Sequence, residues 1–245
     1  MRPHRNPITP IIGFLVLAGC APHIPRPAPI LLFNGTGTSS NDVAAIESIL
    51  RDNHLDYSTA NSRELCILGP GEYPKYRLVI IPGGNFIVMG NHLTPGATSN
   101  LRDAVANGLN YLGICAGAFL AGDLPQNSVN LTSGVRFPFY SVVNRGVMKG
   151  AVPITFPTMP ASDQYWESGP ELSGWGEVVA RYPDGTPAIA QRAVGKGWVL
   201  LSGFHPEAPE SWRSGMKFRT SVADSHAYAL TLIRAALDAT PLPHY

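Results

Sequence analysis

Apolar residues fall into short runs broken by glycine and proline, and in the first half of the chain these runs alternate with segments of helical spacing. Ile30 to Phe33 is continuously apolar and opens onto the turn-rich stretch Asn34-Gly35-Thr36-Gly37-Thr38-Ser39-Ser40. Asn41-Asp42 then suits the cap of a helix with Val43, Ile46, Ile49 and Leu50 on one face. Tyr57 to Ala60 reads as a second strand. Leu78 to Ile81, stopped by Pro82-Gly83-Gly84, reads as a buried parallel one. A helix over Ser99 to Asn107, a strand over Asn110 to Ile114 and a helix over Ala116 to Ala121 follow. This alternation predicts an α/β fold with a mostly parallel sheet covered by helices on both faces.

From Asn127 to about Arg192 the pattern changes to short strand-like pieces, Val152 to Phe156, Glu177 to Tyr182 and Ala188 to Arg192, which add antiparallel strands in the second half. Asp184-Gly185 suits a hairpin turn between the last two. Trp198 to Ser202 is a further strand, and Ser221 to Asp238 a closing helix. Residues 30–240 are read as one domain.

The first twenty residues are patterned differently. Arg2 and Arg5 precede an apolar run from Ile8 to Leu17, which is shorter than the roughly 18 residues of a spanning helix and reads as a signal segment. It ends in Leu17-Ala18-Gly19-Cys20, similar to the lipobox of bacterial lipoproteins, in which the cysteine is acylated and becomes the mature N-terminus. The expectation is a signal peptide over 1–20, a lipid on Cys20 that holds the protein to a membrane of the bacterial cell envelope, and a proline-rich tether over 21–29. The net charge of +1 offers no footprint for nucleic acid, so none is expected as a partner.

Candidate chemistry centres on Gly113-Ile114-Cys115-Ala116-Gly117. Glycines two residues either side of a cysteine suit a sharp strand-to-helix turn that presents a thiolate at a helix N-terminus. His205-Pro206-Glu207 follows a strand, and residues two apart in an extended segment point the same way, which suits a base and its orienting carboxylate. Gly83, Gly84 and Ala116 are candidates for backbone donors to an oxyanion. Asn34 and Thr36, in the first glycine-rich loop, are candidates for a pocket wall; that loop lacks the Gly-Lys-Ser/Thr ending of a phosphate loop. Tyr165-Trp166-Glu167-Ser168-Gly169 reads as an aromatic, polar loop that either faces the substrate or packs over the sheet. The remaining histidines show no metal-ligand spacing, so neither a metal nor a cofactor is expected. If Cys20 is acylated, Cys66 and Cys115 remain in the exported domain, and a disulfide between them competes with a nucleophilic Cys115.

Pro82-Gly83-Gly84, Gly113 to Gly117 and His205-Pro206-Glu207 resemble the class I glutamine amidotransferase-like superfamily. More narrowly, Phe33 to Thr38, Gly113 to Ala118 and Ser202 to Glu207 resemble the N-terminal amidotransferase-like domain of biotin protein ligases. The resemblance implies a flavodoxin-like sheet with Cys115 as nucleophile, His205 as base and Glu207 as orienter. It does not imply biotin ligation. Glutamine-hydrolysing members carry a polar residue after the elbow, whereas Ala118, Phe119 and Leu120 follow here. An exported amidotransferase would also lack ATP and a synthetase to receive ammonia. Hydrolysis of another amide or related acyl bond, in a small molecule or a peptide, is therefore the expected activity, with a non-catalytic binding module as the alternative.

Overall fold

A computed structural model describes residues 28–245 together with Met1; Cys20, the signal-like run and most of the tether lie outside the described residues. Among the described residues, no helix is long and apolar enough to cross a membrane.

Among the same residues, nine strands and six helices follow one another as β1 (Ile30–Phe33), α1 (Ser40–Asp52), β2 (Tyr57–Ala60), α2 (Ser62–Ile67), β3 (Leu78–Ile81), α3 (Phe86–Asn91), α4 (Pro95–Ala106), β4 (Asn110–Ile114), α5 (Ala116–Ala121), β5 (Lys149–Ile154), β6 (Ser162–Glu167), β7 (Glu177–Arg181), β8 (Pro187–Val194), β9 (Gly197–Ser202) and α6 (Val222–Leu237). Seven strands form one sheet in the order β2-β1-β3-β4-β9-β8-β7. The first five of these pair in parallel, and β8 and β7 extend the sheet antiparallel. The fold is α/β with a mostly parallel sheet, as the alternation predicts, and flavodoxin-like, as the resemblance implies. Strands β5 and β6 form a separate antiparallel ribbon.

Alternation along β1 shows how the sheet is covered. Ile30 and Leu32 join the core that contains α1 and α6, while Leu31 and Phe33 join the opposite core with α2, α4 and α5. Both faces are dry, so the central strands read as unbroken apolar runs.

Several local readings are corrected. The N-cap of α1 is Ser39, whose hydroxyl accepts the Asp42 amide at 3.3 Å, so the Asp42 side chain is free for another partner. Helix α4 begins at Pro95, four residues before the expected start, because Thr94 caps it and proline suits the first turn. Helices α2 and α3 were not anticipated. Asn61 and Glu64 form a capping box for α2, and the Asn85 side chain accepts from Ile87 and Val88 to start α3. The aromatic stretch from Tyr165 is not a loop, since Tyr165 to Glu167 complete strand β6. Strand β5 starts at Lys149, and it tolerates Pro153 because the ribbon has only two strands.

Candidate active site

Strands β3, β4 and β9 are neighbours in the sheet, and their carboxyl ends deliver Gly83-Gly84, Cys115 and His205 to one edge. The three motifs are distant in sequence, and the parallel register brings them together. In open α/β sheets this edge is where ligands collect.

Cys115 occupies φ 50° and ψ −102°, a strained state for a residue with a side chain. The turn is held by the Cys115 amide, which donates to the Ser202 carbonyl of β9 at 2.8 Å. Its flanking glycines provide clearance. A Cβ on Gly113 would lie 2.6 Å from the Gly117 carbonyl oxygen, and one on Gly117 would lie 2.0 Å from that of Ile81. The Cys115 thiol contacts the Glu167 carbonyl oxygen at 3.6 Å. Cys66, on α2, and Cys115 are both free thiols, so no disulfide joins them.

His205 is buried, and its Nδ1 meets two carboxylates. Glu207 Oε1 accepts from it at 3.0 Å with hydrogen-bond geometry. Asp42 Oδ1 lies at the same 3.0 Å but off the hydrogen-bond direction, as an ion pair. Burial disfavours the imidazolium, yet the charges of Cys115, Asp42 and Glu207 outweigh it and hold the His205 pKa well above its usual 6.5. Burial also raises the Asp42 carboxyl, but His205 overrides it and leaves Asp42 below 3.8. Glu207 goes the other way: burial, helped by Asp42, raises it above 4.5. The two carboxyl groups thus titrate as a coupled pair facing one histidine.

Asp42 is the residue that sequence reasoning missed. It lies in the first turn of α1, and the loop after β1 carries it to the same sheet edge. Gly83 makes room for the pair, since a Cβ there would lie 2.1 Å from Asp42 Oδ1 and 2.6 Å from His205 Cε1. The rings of Tyr165 and Trp212 flank the imidazole at 5.9 and 5.8 Å. The ribbon is tied to the site by the His205 amide, which donates to the Tyr165 carbonyl at 2.8 Å. Asp42, His205 and Glu207 offer ligand atoms within 4.8 Å of one another, donor types that suit a cation.

Cys115, His205, Asp42 and Gly84 line a cavity of about 510 Å³. Ala116 is buried in the first turn of α5, directly after the nucleophile candidate. Tyr165 lines an adjoining cavity with His205 and Trp212. Asn34 and Thr36 line a separate depression beside α1 that includes neither Cys115 nor His205. A larger cavity of about 680 Å³, between residues 156–162 and α6, contains no cysteine or histidine.

Residues 28–147 match the family model described as the N-terminal domain of biotin-protein ligase. A solved glutamine amidotransferase aligns with a TM-score of 0.59 at 18% identity, covering 85% of this chain and 98% of that one. Residues 28–147 thus match a biotin-protein ligase N-terminal-type domain, on a chain with the fold of a glutamine amidotransferase. A putative GMP synthase protein from Thermoplasma acidophilum aligns at TM-score 0.54 and 10% identity, over 86% of this chain and 95% of that one. A beta-galactosidase from Bacillus circulans sp. alkalophilus aligns at TM-score 0.52 and 13% identity over 89% of this chain but only 32% of its own. At these identities the likenesses concern the amidotransferase-like fold alone. No curated protein matches the chain. The family-model match includes the cysteine elbow and ends before His205-Pro206-Glu207, so the base and its orienter rest on the geometry above.

Proposed function

We propose that this amidotransferase-like protein is a cysteine-dependent hydrolase of an amide or related acyl bond. The observation that carries the reading is a histidine braced by two buried carboxylates, lining one cavity with a strained cysteine at a strand-to-helix elbow. The Cys115 thiolate attacks the substrate carbonyl carbon, and Sγ–C bond formation moves the carbonyl π electrons onto oxygen. Backbone N–H groups at Gly84 and Ala116 receive that oxyanion. The tetrahedral adduct collapses with cleavage of the C–N or C–O bond, and His205 gives its proton to the leaving group. Water then attacks the thioester, His205 takes one of its protons, and the acid departs as the thiolate is restored. Glu207 and Asp42 keep Nδ1 engaged, which leaves Nε2 for the proton transfers.

Hydrolysis of a panel of p-nitrophenyl esters and p-nitroanilides tests this. The expected result is turnover with an initial burst, lost in Cys115→Ala and in His205→Ala. Full activity in Cys115→Ala would overturn the reading.

A binding module without catalysis is favoured by one observation, the contact of the Cys115 thiol with the Glu167 carbonyl, which suits a protonated sulfur. Alkylation of the reduced protein separates the two readings. A nucleophilic Cys115 reacts faster than Cys66 at neutral pH, and a ligand-holding one does not.

The cellular address belongs to the same proposal. Processing before Cys20 and acylation of its side chain would anchor the domain to a membrane of the cell envelope, supported by the Leu17-Ala18-Gly19-Cys20 sequence and the proline-rich stretch after it.

A further inference from the structure

Large apolar side chains exposed at a surface carry a free-energy cost, so their concentration around one cavity is informative. Ile87 and Phe139 are 44% and 43% exposed, and both line the Cys115 cavity. Met148, 54% exposed, is fastened to its edge: its carbonyl accepts from the amide and hydroxyl of Ser168, at 2.8 and 3.2 Å, and Ser168 lines the cavity.

Behind Phe139 is an aromatic shelf. Phe86 stacks on Phe119 with centroids 4.4 Å apart, and Phe119 meets Phe139 edge-on at 5.0 Å. Phe119 lies one helical turn after Cys115 on α5, so the elbow fixes the shelf relative to the sulfur. Charge points the same way. Among the described residues, the cavity wall includes Asp42 and Glu167 but no lysine or arginine, and Lys149 faces the adjoining cavity instead. The one cation on that wall, His205, is already engaged by Asp42 and Glu207, so a free α-amino acid such as glutamine would bring a carboxylate to a wall with no unpaired cation to receive it. The volume of about 510 Å³ is ample for a phenyl group with its linker; an engineered cavity of about 150 Å³ holds benzene.

We infer that the cavity takes the acyl half of its substrate through an aromatic side chain laid on Phe86, Phe119 and Phe139, and rejects acyl groups that carry a carboxylate. This rests on Cys115 being the nucleophile, but the shelf can be read without turnover.

The test is alkylation of the reduced full-length protein by iodoacetamide, N-(2-phenylethyl)iodoacetamide and N-iodoacetylglycine. Peptide mass spectrometry follows Cys115, with Cys66 as internal reference. The phenylethyl reagent should raise the Cys115/Cys66 ratio about tenfold over iodoacetamide, the effect of about 1.4 kcal/mol of added binding. The carboxylate reagent should lower it. Phe139→Ala should abolish the phenylethyl advantage over iodoacetamide and leave the carboxylate reagent disfavoured. Equal ratios for all three, or a phenylethyl advantage that persists in both Phe139→Ala and Phe86→Ala, would overturn the inference while leaving the nucleophile intact. If Cys115 reacts with none of them, the hydrolase reading fails, and the shelf is judged by NMR titration with 3-phenylpropionamide. Saturable binding lost in Phe139→Ala supports the shelf, and no binding overturns it.

Discussion

His205 has more negative charge around it than one orienting carboxylate supplies, and this shapes what substitutions should do. With Asp42 and Glu207 each 3.0 Å from Nδ1, either can hold the ring when the other is removed. Asp42→Asn and Glu207→Gln should each slow ester hydrolysis by about 10- to 100-fold, and the double variant by on the order of 10⁴-fold, the loss seen when a triad is deprived of its carboxylate. Steady-state rates decide: a Glu207→Gln loss equal to that of the double variant would show Asp42 to be a bystander. The Cys115 charge also raises the His205 pKa, so Cys115→Ala should lower the imidazole midpoint in a ¹³C-histidine titration, and an unmoved midpoint would sever the link. Stability follows with a definite sign. A histidine whose pKa is raised on folding stabilises fully below its unfolded value of about 6.5, and the gain is lost as pH rises through the folded value. Urea midpoints above neutral pH should therefore start to fall at lower pH in Cys115→Ala than in the wild type. His205 and Glu207 were legible because their spacing in an extended segment sets them side by side. Asp42 was not, since its proximity exists only once β1 and β3 pair.

The elbow is an element whose geometry the sequence states almost in full. Glycine at 113 and 117 is required because the carbonyls of Gly117 and Ile81 lie where their Cβ atoms would go. Gly117→Ala should cost roughly 1–3 kcal/mol in urea denaturation, the range for forcing atoms into a close-packed region; a neutral result would show that α5 can slide off β3. The positive φ of Cys115 gives a second expectation. Cys115→Gly should be more stable than Cys115→Ala by about 1 kcal/mol, because glycine adopts this backbone without strain. Comparing those two isolates the backbone term, since both lack the thiol. Strand β6 was illegible for a physical reason: Asp163, Gln164, Tyr165 and Trp166 are all buried, so the strand lacks the alternation that marks a half-exposed one. Short helices α2 and α3 escaped because six residues give too few turns for periodicity; the Asn61…Glu64 capping box was the one available signal for α2.

At the scale of the whole molecule, parallel pairing separates the start of β1 from the candidate site by the length of the strands. The five strands from β2 to β9 run the same way, so the chain enters at the amino end of β1 while Cys115 and His205 gather at the carboxyl ends. A four- or five-residue strand spans about 15 Å. The proposed anchor at Cys20 precedes β1, so it would join the domain at the edge of the sheet opposite the cavity mouth. Two measurements follow from this. Cys20→Ser should move the protein from the membrane to the soluble fraction and abolish incorporation of labelled palmitate. A charged, membrane-impermeant alkylating reagent, applied to membranes open on the face that bears the domain, should modify Cys115 at the same rate in the anchored and released forms, as expected of a cavity at the edge opposite the proposed anchor. Slower modification of the anchored form would mean that the site faces the membrane, and with an apolar shelf at its mouth the substrate would then be sought among lipids. Retention of Cys20→Ser in the membrane fraction would instead remove the lipid anchor and leave the orientation to another contact.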